Sequence, residues 1–527
     1  MKNFKFFLLA LILLIGFTLR FYKVEEIPTG FFADEAAIGY NAYSVLTTGK
    51  DEHGVSFPFY FQSFGDWRTP VPIYTMIPFI AIFGLNEFSV RFTMVVYGTL
   101  SILLLYLFVR ELFLKYKNLN EQFALTSSFF LAISPWHIHF SRSGFEFTTM
   151  PFYLLAGLFF LFRFLHRDQK NKDLILAVIF FIISFYTAYV IQLVLLPFLL
   201  GIFILYLKTF IPKHLKLIII CLLIFIFGLV PFIVSASSGQ STSRFIHISP
   251  LTNGKSINEL IQPMAKTYID HFSLDFLFFK GDIDMPGHFI SRHSIRGMGE
   301  LYFFQLPLIF LGIILLILRA RKIFVLLFLW LALYPIGSTM TAEGPFSHRS
   351  LFGVIPFQIL SAIGLITFIY YSIRLIKNSK LRVVISGILI SIFIIIGSLS
   401  IKDYINKHFN EYPLYSSDYW GWQDGPEQIM NYFLAQKDNY DQMYISGEFN
   451  GGPQIFIKFY DPQNTCQNKC RGGGFESYDP TLHQLFVLSP GLLENSIFKK
   501  QFLVKKTIYY PNGNVSFKIG EITKQSF

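Results

Sequence analysis

Two adjacent carboxylates, Asp34 and Glu35, follow the first hydrophobic segment of the chain and are surrounded by apolar and aromatic residues. Removing a carboxylate from water is costly, so such a pair at the end of a hydrophobic segment usually marks a functional site. A carboxylate in this position could accept a proton from a reacting hydroxyl group. The alternative is structural, because Asp and Glu also stabilise the first turn of a helix.

Further residues that could take part in chemistry fall in segments that we expect on the same side of the molecule. They are Asp66, Trp67 and Arg68 in the first loop, Arg142 and Glu146 after the third hydrophobic run, His293 in a long loop, and His348 and Arg349 in the last loop. Helix ends that are distant in sequence converge on one face of a bundle, so we expect one shared cavity. The structural alternatives are a helix cap for Glu146, an ion pair or lipid headgroups for Arg142, an aromatic belt for Trp67, and solvated loop charges for His293, His348 and Arg349.

The composition indicates which elements must position these residues. Of 527 residues, 53% are hydrophobic, 18% aromatic and only 15% charged, and the mean hydropathy is +0.49. A soluble domain of this size needs more charge, so we expect an all-α polytopic membrane protein. The formal net charge of +11 does not indicate a nucleic-acid partner, because Lys and Arg lie in short clusters between the apolar runs.

The apolar runs long enough to cross a bilayer number about eleven. They cover residues 6–22, 88–110, 122–140, 148–165, 173–189, 190–207, 217–235, 303–319, 323–340, 351–373 and 383–401. The first run lacks a small-residue cleavage site, which predicts an uncleaved signal anchor. The run 71–84 contains two prolines and is too short to cross, so we expect an interfacial or re-entrant helix there.

Basic clusters predict the orientation in the plasma membrane. They include Lys5, Arg110, Arg163, Lys208, Arg319 and Arg382. All of them fall on one side if the N-terminus is cytoplasmic, which puts the candidate site and the C-terminus outside the cytoplasm. Residues 1–401 then form the membrane domain. Residues 402–527 are more polar, with turn signals and short apolar runs at 443–446 and 454–457, and we expect a small extracytoplasmic α/β domain.

Signals for cofactors are few. His137 and His139 are two residues apart and lack a carboxylate at ligand spacing, so we predict no metal site built by the protein. The sequence contains no glycine-rich phosphate loop and no nucleophile elbow. We expect no required cofactor, although a divalent cation would be compatible with the site. Cys466 and Cys470 lie in a segment expected outside the cytoplasm, where disulfides form, and we predict that they pair.

Several short motifs, taken in order, resemble those of the GT-C membrane glycosyltransferases. The motifs are Asp34-Glu35, the stretch 66–70 before an apolar segment, the stretch 86–91 that enters a helix, the stretch 134–146, and the stretch 276–282 with its continuation to 299–302. The protein O-mannosyltransferases and the aminoarabinose lipid A transferases, a group that includes bacterial family 39-like enzymes, are the most similar. The resemblance covers roughly residues 1–400, and the predicted sides of the membrane agree with the family.

The resemblance implies an enzyme that transfers a sugar, with inversion, from a polyprenyl-phosphate donor to a hydroxyl or phosphate group of a glycan, lipid or protein. It implies Asp34 as the catalytic base and Glu35 as the second acid of the pair. We expect Arg68, Arg142 and Arg349 to bind the donor phosphate, and Asp66, Trp67, Glu146, His293 and His348 to bind the sugar or acceptor. Such a reaction needs a base for the acceptor and cations for the phosphate leaving group.

Two other functions are compatible with parts of this pattern. A flippase or transporter of lipid-linked oligosaccharides would have repeated halves with broken helices, and we see no internal repeat in the sequence. A polysaccharide polymerase or ligase of a different membrane fold would also use extracytoplasmic Arg and His residues. Such an enzyme does not need the Asp-Glu pair in the first loop.

Overall fold

The computed structural model describes residues 2–116, 119–252, 254, 256–282, 292–341, 344–375, 379–449 and 451–523. The longer helices are Lys2–Phe21, Ala33–Thr48, Pro70–Phe83, Glu87–Leu112, Asn120–Ile133, Thr149–His166, Asn171–Phe185, Tyr189–Leu205, Leu207–Ser237, Ile257–Asp270, Gln305–Arg319, Arg321–Leu333, Val354–Leu375, Ser379–Asn406 and Pro426–Gln436. Short helices are Pro135–Phe140, Ser243–Ile248, Ile336–Thr339, Tyr412–Tyr415, Gln454–Tyr460 and Pro490–Glu494. Single 3₁₀ or π turns occur at Glu146–Thr148, Pro250–Thr252, Asp275–Phe279, Leu351–Gly353, Lys407–Glu411 and Phe475–Ser477.

Each predicted membrane span falls on helical structure. Within the described residues, seven helices are long and apolar enough to cross a membrane, and Pro70–Phe83, Tyr189–Leu205 and Gln305–Arg319 are apolar but shorter. The chain is therefore a multi-pass membrane protein, while the count of eleven crossings stays a prediction. The predicted spans 173–189 and 190–207 are separate helices, because one helix ends at Phe185 and the next begins at Tyr189. The polar stretch between them, residues 186–189, is called the polar corner below.

The first loop folds into a helix, a hairpin and a second helix. The first turn of the helix Ala33–Thr48 contains the two adjacent carboxylates, which interact favourably with the N-terminal end of the helix dipole. It ends at Gly49, whose φ of 70° is a left-handed conformation that suits glycine. Strand β1 (Phe61–Ser63) then pairs antiparallel with strand β2 (Asp66–Arg68). The helix Pro70–Phe83 follows directly, so the end of β2 has a defined place between the hairpin and this helix.

The C-terminal region forms a five-stranded mixed sheet, which confirms the predicted small α/β domain. Its strands are β3 (Gln442–Ile445), β4 (Cys470–Gly472), β5 (Gln484–Leu488), β6 (Phe502–Tyr509) and β7 (Val515–Ile522), in the order β4-β3-β5-β7-β6. Strand β3 runs parallel to β4 and β5, whereas β7 runs antiparallel to β5 and β6. The predicted disulfide between Cys466 and Cys470 is confirmed and reaches the start of β4.

The C-terminal domain and the first loop share one hydrophobic core. Phe31 and Ile38 of the first loop belong to the same buried cluster as Phe459 and Ile519 of the C-terminal domain. The ring centroids of Phe31 and Phe459 lie 4.8 Å apart. Because burial of apolar surface stabilises such a contact, the C-terminal domain holds the first-loop helix in place. The last membrane helix continues to Asn406, and the domain boundary at residue 401 stays a prediction.

Candidate active site

Segments far apart in sequence meet around one cavity of about 150 Å³. Its wall is formed by Asp34, Asp66, Trp67, Arg68, Phe145, Glu146, Phe147, Tyr189, Arg244, Arg292, His293, Phe346, His348 and Arg349. Eight of the ten site residues expected from the sequence are among them. The structure therefore brings segments that are distant in sequence together at one cavity, as expected.

Arg68 connects two carboxylates of this cavity. Its Nη2 donates a hydrogen bond of 2.7 Å to Oδ1 of Asp34, and its Nη1 lies 3.6 Å from Oε2 of Glu146. The Asp34 side chain is 29% exposed, whereas the Arg68 side chain is 12% exposed. Burial acts to lower the pKa of Arg68, but Asp34 and Glu146 raise it more, so the net pKa is raised. Asp34 is therefore held by a charge-assisted hydrogen bond and is still accessible from the cavity.

A second ion pair joins the hairpin to a distant segment. Nη1 of Arg244 donates a hydrogen bond of 2.7 Å to Oδ2 of Asp66, and Oδ1 of Asp66 accepts hydrogen bonds from Oγ of Ser243 and from the backbone N–H of Trp67. The Tyr189 hydroxyl donates to the carbonyl oxygen of Trp67. These contacts bring the hairpin, the segment at 243–244 and the start of the helix Tyr189–Leu205 to the same wall.

Positive charge exceeds negative charge in the cavity wall. The wall contains four arginines, namely Arg68, Arg244, Arg292 and Arg349, and three carboxylates. Nη1 of Arg349 donates a hydrogen bond of 2.6 Å to Oγ1 of Thr341, which fixes the direction of its guanidinium. The planar fork of arginine matches the oxygen atoms of a phosphate group, so the cavity suits an anionic ligand of that type.

A mostly apolar groove of about 260 Å³ adjoins the cavity. The cavity and the groove share Glu146, Phe147, Tyr189, Arg244, His348 and Arg349. Beyond this junction the groove is lined by apolar residues that include Val190, Leu193, Phe232, Phe245 and Met340. An amphiphilic molecule could therefore place a charged head at the junction and an apolar chain along the groove.

Arg142, which we expected at the donor phosphate, lies outside the cavity. It is fully buried, and its two terminal nitrogens donate hydrogen bonds to the carbonyl oxygens of Leu19, Arg20, Lys23 and Ile27. These carbonyls belong to the end of the first helix and the turn that follows it. The structure thus places Arg142 in the scaffold, because its terminal donors are already used by the backbone.

Glu35, the expected second acid, is also absent from the cavity wall. Its side chain is 0% exposed and forms an ion pair with Arg91, which is 0% exposed as well. Oε1 of Glu35 accepts hydrogen bonds from the backbone N–H of Gly144 (2.6 Å) and from Nε of Arg91 (3.1 Å). Oε2 accepts from the backbone N–H of Phe32, which closes the start of the first-loop helix. Glu35 therefore ties three segments together instead of facing a substrate.

The contact between Glu35 and residue 144 depends on glycine. A Cβ atom at position 144 would lie 2.4 Å from Cγ1 of Val90 and 3.2 Å from Oε1 of Glu35, so a larger residue would displace the loop. Two residues later the same loop presents Glu146 to the cavity. The buried pair thus positions both Asp34, its neighbour in sequence, and Glu146.

Six residues of the cavity wall were not among the expected site residues. Three of them are phenylalanines, and the polar ones are Tyr189, Arg244 and Arg292. Arg292 is adjacent to the expected His293, and Tyr189 belongs to the polar corner between two spans. Their neighbours in the sequence could therefore have identified both as candidates. Arg244 lies in a polar stretch without a recognisable motif, and only its charge in an outer loop could have singled it out.

The sequence matches a known family over part of its length. The family model for dolichyl-phosphate-mannose-protein mannosyltransferase matches residues 67–234. This range contains Arg68, Glu146 and Tyr189 of the cavity and ends before Arg244. No sequence of a curated protein matches the chain significantly.

Solved structures of membrane enzymes share the fold. ArnT from Cupriavidus metallidurans bound to undecaprenyl phosphate has a TM-score of 0.53 at 11% identity, with 99% of this chain and 98% of that chain covered. An Archaeoglobus fulgidus oligosaccharyltransferase tethered to an acceptor peptide has a TM-score of 0.56 at 12% identity, with 98% and 74% covered. AglB from the same organism, in complex with an inhibitory peptide and a dolichol-phosphate, has a TM-score of 0.53 at 12% identity, with 87% and 64% covered.

The chain is a multi-pass membrane protein with a charged cavity where helix ends converge. Residues 67–234 are similar to the mannosyltransferase family, and the chain as a whole shares its fold with ArnT and the oligosaccharyltransferases.

Proposed function

We propose that this protein transfers a sugar from a polyprenyl-phosphate donor to an acceptor group on the extracytoplasmic side of the membrane, with inversion at the anomeric carbon. The observation that supports this most is the junction between the arginine-rich cavity and the apolar groove. A polyprenyl-phosphate sugar has one anionic head and one long apolar chain, and the junction accommodates both. The matched structures of ArnT and AglB contain undecaprenyl phosphate and a dolichol-phosphate, respectively.

The donor phosphate is assigned to Arg244 and Arg349, which belong to both the cavity and the groove. The phosphate is the leaving group and already carries charge, so it needs cations rather than a proton donor. Arg68 lies further into the cavity and is engaged by Asp34 and Glu146. In this assignment Arg68 lies between the phosphate and the Asp34 carboxylate, and its positive charge stabilises both groups.

Asp34 is the general base of the proposed reaction. The acceptor oxygen attacks the anomeric carbon, its proton passes to the Asp34 carboxylate, and the bond from the anomeric carbon to the phosphate oxygen breaks. The developing positive charge on the sugar is oxocarbenium-like, as in other glycosyl transfers. The partial exposure of Asp34 to the cavity supports this role, because a base must reach the acceptor.

Other cavity residues would bind the sugar and the acceptor. We assign Asp66, Trp67 and Glu146 to this contact, since all of them line the cavity wall. The acceptor is a hydroxyl or phosphate group of a glycan, a lipid or a protein. The alternation of basic loops supports a cytoplasmic N-terminus, so the cavity and the C-terminal domain would face the opposite side of the plasma membrane.

The test uses purified protein that is reconstituted with envelope membranes, which supply the acceptor. This preparation is incubated with a panel of polyprenyl-phosphate sugars. One donor should disappear with release of polyprenyl phosphate and labelling of an acceptor. The same preparation of Asp34→Asn is the control and should leave all donors intact.

Two results would contradict the proposal. Movement of a donor across the bilayer with its sugar still attached would indicate a transporter. Consumption of nucleotide sugars, with every lipid-linked donor untouched, would indicate a different donor class.

A further inference from the structure

Three side chains from separate segments meet at the wall of the cavity. Asp282, His293 and His348 are all buried, and one potential ligand atom of each lies within 4.8 Å of the others. His293 and His348 also line the cavity, whereas Asp282 lies behind them. This grouping is distinct from the pair His137 and His139 considered in the sequence. It could not be read from spacing, because residues 282, 293 and 348 are far apart along the chain.

Each of the three side chains has a buried polar atom that forms no hydrogen bond among the described residues. These atoms are Oδ2 of Asp282, Nδ1 of His293 and Nδ1 of His348. Nδ1 of His293 lies 3.3 Å from Oδ2 of Asp282 without the geometry of a hydrogen bond. A buried polar atom without a partner is costly, so three in one cluster point to a missing ligand.

The cluster is held in place by the backbone around Ser347. The N–H of Ser347 donates a hydrogen bond of 2.6 Å to Oδ1 of Asp282, which leaves Oδ2 directed elsewhere. Oγ of Ser347 donates a hydrogen bond of 2.9 Å to the carbonyl oxygen of His293. The imidazole rings of His293 and His348 lie side by side, with centroids 4.0 Å apart. A hydrogen bond that orients a ligand side chain, as the N–H of Ser347 does for Asp282, is typical of metal centres.

The donor set favours a transition metal over magnesium or calcium. Two imidazoles and one carboxylate are the ligands of many zinc sites, whereas magnesium and calcium prefer oxygen atoms only. Tetrahedral zinc places its ligand atoms about 3.4 Å apart, so small side-chain rotations would close the present separation.

We propose that Asp282, His293 and His348 bind one divalent transition-metal ion of the zinc type. His293 and His348 belong to the cavity wall, so the remaining coordination position would face the cavity. There the ion would add positive charge beside Arg349, next to the junction where the donor phosphate is assigned. This contribution to phosphate binding rests on the proposed function, whereas the metal site itself does not.

The binding test uses the full-length protein, purified in detergent and treated with a chelator. Titration with Zn²⁺ should give one tight site per chain, and Co²⁺ should give the visible absorption of a four-coordinate centre. Asp282→Asn and His348→Ala should each weaken Zn²⁺ binding at least about 100-fold, since even residues behind the ligands typically change metal affinity about 10- to 100-fold.

A matched control is His483→Ala. Nε2 of His483 lies 3.2 Å from Oε2 of Glu521, a distance close to that between His293 and Asp282, but the His483 side chain is 58% exposed. This variant should bind Zn²⁺ with unchanged affinity. If a variant of the cluster fails to fold, the wild-type protein still decides. Its thermal midpoint should rise with Zn²⁺, and that of His483→Ala should rise equally.

The proposal is overturned if the chelator-treated protein binds no Zn²⁺ tightly, or if Asp282→Asn and His348→Ala bind as tightly as the wild type. These measurements involve no sugar donor. A failure to bind metal would contradict the metal site but not the proposed glycosyl transfer. Tight metal binding by a protein that is inactive with every donor would contradict the proposed glycosyl transfer but not the metal site.

Discussion

Two arginine–carboxylate pairs stand next to each other at the start of the first-loop helix and differ mainly in burial. The pair of Asp34 and Arg68 faces the cavity, with 29% and 12% of the side chains exposed. The pair of Glu35 and Arg91 is 0% exposed on both sides. Adjacent residues of a helix point in different directions, so one carboxylate reaches the cavity and the other the interior of the protein.

The difference shows how the same pair of residue types serves two purposes. A fully buried ion pair contributes through specific geometry, because removing one partner leaves an unpaired charge in the interior. A pair at a cavity wall can exchange partners with a ligand or accept a proton. Glu35 fixes the backbone around Phe32 and Gly144, and this holds the neighbouring Asp34 at the cavity wall.

Breaking the buried pair should have the largest effect on stability. Arg91→Ala leaves Glu35 charged and unpaired, and we expect a loss of about 3–5 kcal/mol in the free energy of unfolding. The measurement is the thermal midpoint of the purified protein, together with the fraction of monodisperse protein recovered.

Arg110→Ala is the control on the same helix, because Arg110 forms a partly exposed pair with Glu121. We expect a loss of at most about 1 kcal/mol there. Equal thermal midpoints for the Arg91 and Arg110 variants would show that the buried pair has no special structural role.

Breaking the cavity pair should affect the reaction more than the fold. Arg68→Ala removes a charge-assisted hydrogen bond to Asp34, worth about 1.5–3 kcal/mol, so we expect transfer to slow roughly 10- to 100-fold. Arg68→Lys should recover only part of the rate, because lysine lacks the planar fork. Initial rates at saturating donor measure both.

Arg167→Ala provides the control for Arg68→Ala. Arg167 binds Glu111 through two hydrogen bonds of 2.8 and 2.6 Å, but neither residue belongs to the cavity wall. Its transfer rate should equal that of the wild type. A normal rate in Arg68→Ala as well would remove the cavity pair from the mechanism.

The smallest of these effects is expected at the junction of the cavity and the groove. Arg349→Ala should weaken binding of polyprenyl phosphate about 10-fold, since one charge-assisted contact among several is lost. Competition between polyprenyl phosphate and a labelled donor measures this affinity. Unchanged affinity in both Arg349→Ala and Arg244→Ala would place the phosphate elsewhere.

Much of the membrane domain could be predicted from sequence because apolar runs and the polar corner before Tyr189 are local signals. The C-terminal domain shows the limit of such signals. The runs 443–446 and 454–457 are both short and apolar, yet the first lies in strand β3 and the second in the helix Gln454–Tyr460. Periodicity cannot separate these cases, because neighbours in the fold decide between them.

The lining of the cavity was predictable where a residue's type and its position in an outer loop sufficed, as for Asp34, Arg68 and Arg349. It was not predictable where burial decides which side chains reach the cavity. Arg142 and Glu35 carry the same kinds of charge as the cavity residues, but backbone carbonyls and Arg91 use their polar atoms. Those partners come from distant segments, which the sequence does not reveal.

We propose Asp34 as the base and Glu35 as the neighbour that holds the backbone in place. The most direct test compares Asp34→Asn with Glu35→Gln in a single turnover of donor already bound to folded, purified protein. We expect Asp34→Asn to keep the wild-type thermal midpoint and donor affinity and to transfer sugar at least about 10²-fold more slowly. Glu35→Gln should lower the thermal midpoint, with much faster transfer per folded molecule than Asp34→Asn. Full transfer activity in correctly folded Asp34→Asn would contradict the account.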